Sequence, residues 1–292
     1  MIARSSPTDR LESTDRLELA ANVSLLFDEL PLLDRFGAAA AAGFDSTESW
    51  WPFGASPAPT DAEVDALLAA IDASGVPLSG MNLYAGDMPA GERGIQSHPG
   101  RTAEAAESLT VMERIARRTG LRACNALYGQ RLEGVDPAEQ DAVAVENLAA
   151  AARRLGELGV TILIEPLARG LNGRYPLETA ADGVRVVERV REATGLDNIA
   201  LLFDTFHLAS NGEDLRGVIA DHHELIAHVQ IADSPGRGEP GTGDVDVPGV
   251  VEALWGSGYR GVVAAEYKPT RPTIETLGWM STTPHLGRAG RR

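Results

Sequence analysis

The chain alternates short apolar runs with longer amphipathic stretches, and it does so eight times. The runs span 17–23, 46–50, 76–82, 122–127, 160–165, 199–204, 225–231 and 261–266. Helix-like stretches at 31–42, 60–74, 103–119, 137–158, 177–194, 212–224 and 247–258 lie between them, and a last one begins near Thr273. Parallel strands need a long crossover, so strand-length runs separated by helix-length stretches predict a parallel sheet. Eight such units in about 275 residues predict an α/β chain folded as a single-domain (β/α)8 TIM barrel. The rival is a doubly wound dinucleotide-binding sheet, which wants a glycine-rich turn after its first strand. Here that stretch reads Ser24-Leu25-Leu26-Phe27-Asp28, with no GxGxxG. Thr60-Asp61-Ala62-Glu63 resembles a capping box, and Gly75, Gly120, Gly159 and Gly195 sit where helices should end.

The barrel is expected over 17–280, after a polar N-terminal extension over 1–16 and before a C-terminal tail over 281–292. Both outer segments are candidates for disorder or for homo-oligomer contacts. The loop over 84–99, after the third strand, is long, polar and glycine-rich. Barrel enzymes build their sites from such loops, which makes it a candidate lid.

With 26 Lys+Arg against 42 Asp+Glu, the net charge is −16. Such a chain repels nucleic acid and anionic membranes unless a basic patch reverses the field. The longest basic clusters, Arg117-Arg118 and Arg153-Arg154, lie within acid-containing helical stretches. No window has the ~18 apolar residues of a membrane span. Met1–Glu18 lacks the apolar stretch of a secretory signal, and the single cysteine, Cys124, cannot form an internal disulfide. The expectation is a cytoplasmic enzyme of small molecules, with neither nucleic acid nor membrane as partner. Of the 26 basic residues 25 are arginine, and the one lysine is Lys268.

The last four strand-like runs end in Glu165, Asp204, Gln230 and Glu266, at spacings of 39, 26 and 36 residues. Each spacing is about one βα unit, so the four side chains should crowd one quadrant of the barrel's C-terminal mouth. Three carboxylates so close need a cation between them, or their pKa values rise. Three acids and an amide offer only oxygen, which suits Mg2+ or Mn2+.

The sequence resembles the hydroxypyruvate isomerases, a family of xylose-isomerase-like barrels. The resemblance runs from about Leu17 to Met280. It is carried by Asn82-Leu83-Tyr84-Ala85-Gly86-Asp87, Gly91-Glu92-Arg93-Gly94-Ile95, Pro99-Gly100-Arg101 and Ile164-Glu165-Pro166. It continues through Phe203-Asp204-Thr205-Phe206-His207, His228-Val229-Gln230-Ile231-Ala232-Asp233, Arg237-Gly238-Glu239-Pro240-Gly241-Thr242-Gly243 and Glu266-Tyr267-Lys268-Pro269. The resemblance implies that Glu165, Asp204, Gln230 and Glu266 are metal ligands and that Glu165 and Glu266 double as the acid/base pair. It also implies interconversion of hydroxypyruvate and 2-hydroxy-3-oxopropanoate (tartronate semialdehyde). That reaction moves a proton between adjacent carbons through an enediolate, which asks for an electrophile at the carbonyl oxygen and a carboxylate to carry the proton.

Around this core, His207, Arg237, Lys268 and Arg93 are candidate substrate-binding residues. Arg237 is suited to a carboxylate, or else to an ion pair with Glu239 or Asp233. Strand alternation would point Lys268 the same way as Glu266, where a compact ammonium would fit a space too tight for arginine. Arg101 could add local positive charge, and Glu92 could serve the site or pair within its loop. Asn22 and Glu48 are candidate mouth-lining residues. Trp50-Trp51-Pro52-Phe53 could wall the site or pack in the core, and Cys124 reads as a buried small hydrophobe. Alternative substrates are a 2-oxotetronate or, as in the ketose 3-epimerases of the same superfamily, a neutral ketose. A more remote alternative is a DNA-repair endonuclease IV-like barrel. That branch uses a histidine-rich multi-zinc site and a basic face, whereas this chain has six histidines and a net charge of −16.

Overall fold

All eight apolar runs become strands in the computed structural model, which describes residues 16–286. They are β1 (Glu18–Asn22), β2 (Ser46–Ser49), β3 (Leu78–Asn82), β4 (Ala123–Asn125), β5 (Thr161–Ile164), β6 (Ile199–Asp204), β7 (Ile226–Ile231) and β8 (Val262–Ala265). Every neighbouring pair is parallel, and β8 pairs back onto β1 (Val263 opposite Leu19), so the barrel closes in sequence order. The helices are α1 (Leu32–Ala42), α2 (Asp61–Ser74), α3 (Thr102–Thr119), α4 (Pro137–Gly156), α5 (Ala180–Thr194), α6 (Thr205–Ser210), α7 (Leu215–His222), α8 (Val247–Gly256) and α9 (Thr273–Thr276).

Local chemistry sets several boundaries. Thr60 and Glu63 form the expected capping box at α2. A second box, Thr179 with Asp182, starts α5 three residues later than the hydrophobic pattern suggests. Helix α4 stops at Gly156, so Gly159 lies in the turn beyond rather than at the cap. The stretch expected as one helix over 212–224 begins at Leu215, under an Asp214 cap, and ends in a 3-10 turn. The short α6, just after β6, was not anticipated.

Strand side chains alternate between an outer core, packed on the helices, and the barrel interior. Small interior clusters, Ala123 with Leu163, Ala200 and Leu202, and Ala20 with Val262 and Ala264, fill its floor. Residues of the same parity nearer the C-terminal ends are polar and nearly all buried: Asn22, Glu48, Asn125, Asp204, His228 and Gln230. The interior thus changes from apolar to polar toward one mouth.

The barrel's packing runs past the expected boundary at 280. The backbone N–H of Leu17 donates to His285 O (2.8 Å), the His285 ring stacks on Trp255, and Leu286 is buried. Residues 1–15 and 287–292, nearly all of the expected N-terminal extension and half of the expected C-terminal tail, lie outside the described residues.

Candidate active site

Each of the four strand-end residues is buried at the C-terminal mouth. Asp204 closes β6 and sits opposite Gln230 on β7, while Glu165 and Glu266 follow directly on β5 and β8. Asp204 has two jobs set by its position. Its carboxylate accepts the backbone N–H of His207 through Oδ1 (3.0 Å), capping α6, which leaves Oδ2 buried with no hydrogen-bond partner. Gln230 Oε1 is likewise buried and unpartnered. An orphaned buried oxygen is costly: Gln230 Oε1 accepts nothing, and Asp204 Oδ2 accepts no hydrogen bond, with only the Arg237 guanidinium 3.5 Å away.

Among the described residues, Glu165, Asp204 and His207 bring one ligand atom each within 4.8 Å of one another and could hold a metal ion. Glu266 stands outside that set. Its carboxylate accepts from Trp50 Nε1 (2.6 Å), Asn22 Nδ2 (3.1 Å) and Arg237 Nη2 (2.8 Å). Arg237 also lies 3.5 Å from Asp204 Oδ2, so its guanidinium spans the two acids. Burial first, then the Asp204 carboxylate, pushes Glu165 up to about 8. Burial also raises Glu266 well above the usual carboxylate range, against the pull of Arg237. Burial opposes the charge on Arg237, yet Glu266, Asp204 and Glu165 outweigh it and keep it protonated.

His207 is neutral: burial lowers it to about 4. Its Nδ1 accepts the backbone N–H of Ala168 (2.9 Å), so the ring proton sits on Nε2. That Nε2 faces Glu165 Oε1 at 3.6 Å and Asp204 Oδ2 at 3.9 Å.

Above the acids opens a cavity of about 970 Å³, with Glu165, His207, Arg237 and Glu266 in its lining. Trp50, Trp51, Met88, Leu127, Leu167 and Phe206 give it an apolar wall. Arg93 and Lys268 line it too, and neither pairs with an acid among the described residues. The candidate lid is built rather than loose. Gly94, at φ +95, bridges to Tyr128, where a Cβ would strike the carbonyl of Leu127. Arg93 Nε donates to Asn172 (3.0 Å), which ties the loop to the segment after β5.

Several expectations need correction. Lys268 lies beyond the end of β8 and is exposed, so neither strand alternation nor crowding explains a lysine there. Arg237 pairs with Glu266 and Asp204, not with Glu239 or Asp233. Those two acids instead hold the loop's own backbone and Thr270. Arg101 pairs with Glu92 and Glu104 at the base of the lid, away from the cavity. Glu48 lies inside the barrel below the mouth, hydrogen-bonded to Gln230. Trp50 is more than a wall, since its indole N–H holds Glu266. Two residues escaped sequence reasoning: Asn125, which donates to Glu165 (2.6 Å), and His228, beside Glu48. Their only signal is polarity at interior positions of a strand.

The family model described as xylose isomerase-like TIM barrel matches residues 36–283. A curated relative from Streptomyces coelicolor, named "Putative hydroxypyruvate isomerase", is 49% identical over 89% of this chain and 94% of its own length. A 2-oxo-tetronate isomerase from Cupriavidus necator is 34% identical over 92% of this chain and 98% of its own. A crystal structure of an AP endonuclease, family 2, from Brucella melitensis superposes with a TM-score of 0.82. It is 31% identical and covers 91% of this chain and 98% of its own.

Proposed function

The chain belongs to the hydroxypyruvate isomerase family of xylose isomerase-like TIM barrels and is an isomerase, and from that premise we propose that it interconverts hydroxypyruvate and 2-hydroxy-3-oxopropanoate with a divalent metal. The proposed ligands are Glu165, Asp204, Gln230 and Glu266, with Mg2+ or Mn2+ as the ion. The observation that carries this reading is the pair of buried oxygens that accept no hydrogen bond, Asp204 Oδ2 and Gln230 Oε1, beside two carboxyls raised by burial. An all-oxygen donor set fits a hard cation. His207 comes as close as the acids do, but its proton is on Nε2, which makes it a donor rather than a ligand.

Such an ion supplies positive charge that polarises a carbonyl oxygen and offsets the charge that grows on it during proton removal. The rest falls to the chain's own residues. Glu165 and Glu266 form the acid/base pair: a carboxylate takes the proton from the carbon beside the carbonyl, and a carboxyl returns one to the neighbouring carbon. Asn125 orients Glu165; Trp50 and Asn22 orient Glu266. His207 Nε2–H donates to a substrate oxygen. Arg237 lines the cavity above the acids, where its guanidinium suits the substrate carboxylate. Arg93 and Lys268 add positive charge farther out, which a chain of net charge −16 needs to draw in an anion.

A second reading is an isomerase of a longer oxo acid, such as a 2-oxotetronate. The 34% identity to the 2-oxo-tetronate isomerase over 92% of this chain favours it. The net charge of −16 and the lone buried Cys124 support a cytoplasmic enzyme without nucleic-acid or membrane partners. Among the described residues no helix is long and apolar enough to cross a membrane. The test is turnover by purified protein with Mg2+ on hydroxypyruvate, 2-oxotetronates and neutral ketoses. Either acid should far outpace the ketoses; faster ketose turnover overturns the substrate assignment.

A further inference from the structure

Glu48 is a buried carboxylate that the proposed reaction does not use. It sits on β2 inside the barrel, 3% exposed, and among the described residues no arginine or lysine pairs with it. Amides and an imidazole surround it instead. Oε1 accepts from Gln230 Nε2 (2.7 Å) and Asn22 Nδ2 (2.9 Å), and Oε2 lies 2.6 Å from Nε2 of His228. On the neighbouring strand the facing residue is Gly80, where a Cβ would come within 3.1 Å of Oε2. Glycine there leaves room for the carboxylate.

A glutamine amide has a donor end and an acceptor end, and rotation by half a turn exchanges them. With Nε2 committed to Glu48, the acceptor end must face the other way, and Gln230 Oε1 is the oxygen left without a partner. The reversed amide would set two oxygens against each other at the Glu48 end and turn an NH2 toward the ligand position, where it cannot bind a cation. Asn22 repeats the pattern. Its Nδ2 bridges Glu48 and Glu266, while its Oδ1 takes the backbone N–H of Ser24.

We infer that Glu48 is a positioning residue: its carboxylate fixes the Gln230 amide with oxygen toward the cation and, through Asn22, steadies Glu266. This rests on the reading of Gln230 as a metal ligand. It gives the amide at that position a reason to be a usable ligand, although it is as ready to donate as to accept.

The test is calorimetric titration of Mn2+ into the metal-stripped protein. Glu48→Gln replaces an acceptor-only carboxylate with an amide that can also donate, which frees the Gln230 amide to reverse and should weaken Mn2+ binding by about 10–100-fold, as loss of an outer partner of a ligand does. The exchanged pair Glu48→Gln/Gln230→Glu reverses the hydrogen bond, with an amide on β2 donating to a carboxylate on β7, and should recover most of that loss. Wild-type affinity in Glu48→Gln overturns the inference. So does a loss that the exchange leaves in place, which marks a merely structural carboxylate. Should Glu48→Gln fail to fold, the exchanged pair decides alone: near-wild-type Mn2+ binding supports the inference and weaker binding overturns it. Gln230→Ala separates the two levels. If it binds Mn2+ as tightly as wild type, the ligand reading itself is wrong; if it binds weakly, a failure at Glu48 is that of the positioning role alone.

Discussion

A carboxyl buried beside other carboxyls keeps its proton to higher pH, and the folded protein then becomes less stable as pH rises. Glu165 is such a group, at about 8 against an ordinary 4.5, and Glu266 is shifted the same way. His207 acts with the opposite sign. It is lowered to about 4 from 6.5, so its contribution grows as pH rises and is largely complete above 6.5. From pH 6.5 to 8 only the carboxyl effect remains. Protein held in a chelator should therefore melt at a lower temperature at pH 8 than at 6.5, and Mn2+ should restore more at pH 8. A flat or rising melting temperature across that window contradicts the assignment. Replacement of the same groups tests the chemistry. Glu165→Gln and Glu266→Gln should each lower kcat by about 10²–10⁴-fold, the usual weight of one acid/base group. Their far-ultraviolet circular dichroism should stay that of the folded protein. Near-normal kcat in either variant removes that residue from the acid/base pair.

At the level of elements, β6 and α6 meet in Asp204, which ends one and caps the other. Its two oxygens can be separated by mutation. Asp204→Asn keeps an N-cap and should melt near the wild-type temperature while losing most Mn2+ affinity. Asp204→Ala should lose about 1 kcal/mol more stability through the cap. Equal melting temperatures in the two variants would show that the cap contributes nothing. The same junction marks how far element reading goes. Strand β6 was legible to the residue over 199–204, because a continuous apolar run stopped at an acid. Helix α6 was not, because its six residues carry no period. Its signal is the cap, an acid three residues before His207, which the same acid hid by also reading as a ligand. Helix α5 shows the same competition, where the Thr179–Asp182 box overrides a pattern reaching back to 177.

Across the whole molecule, the fold was readable because the βα period repeats over the entire chain, and the strand-end acids because one period separates them. The layer beneath them was not. Glu48 meets His228 across 180 residues, and only the closure of the barrel makes them neighbours. The lone lysine stood out by count, yet its place on an exposed rim follows from where β8 stops, which composition cannot tell. The chain's end behaves similarly. Residues after 280 looked like a tail, but Leu286 is buried and His285 binds Leu17. Deleting 281–292 should cost at least about 2 kcal/mol of stability, from the lost burial of Leu286 alone, read by denaturant unfolding. An unchanged midpoint would make that packing incidental.

At the centre of the proposed chemistry stands a divalent ion held by four strand ends with the substrate above it. Crystals soaked with Mn2+ and hydroxypyruvate test it most directly through anomalous scattering. One strong peak is expected in contact with Glu165, Asp204 Oδ2, Gln230 Oε1 and Glu266, with a substrate within reach of His207 and Arg237. A peak that excludes Gln230 and Glu266, or substrate bound with no ion beside it, would contradict it.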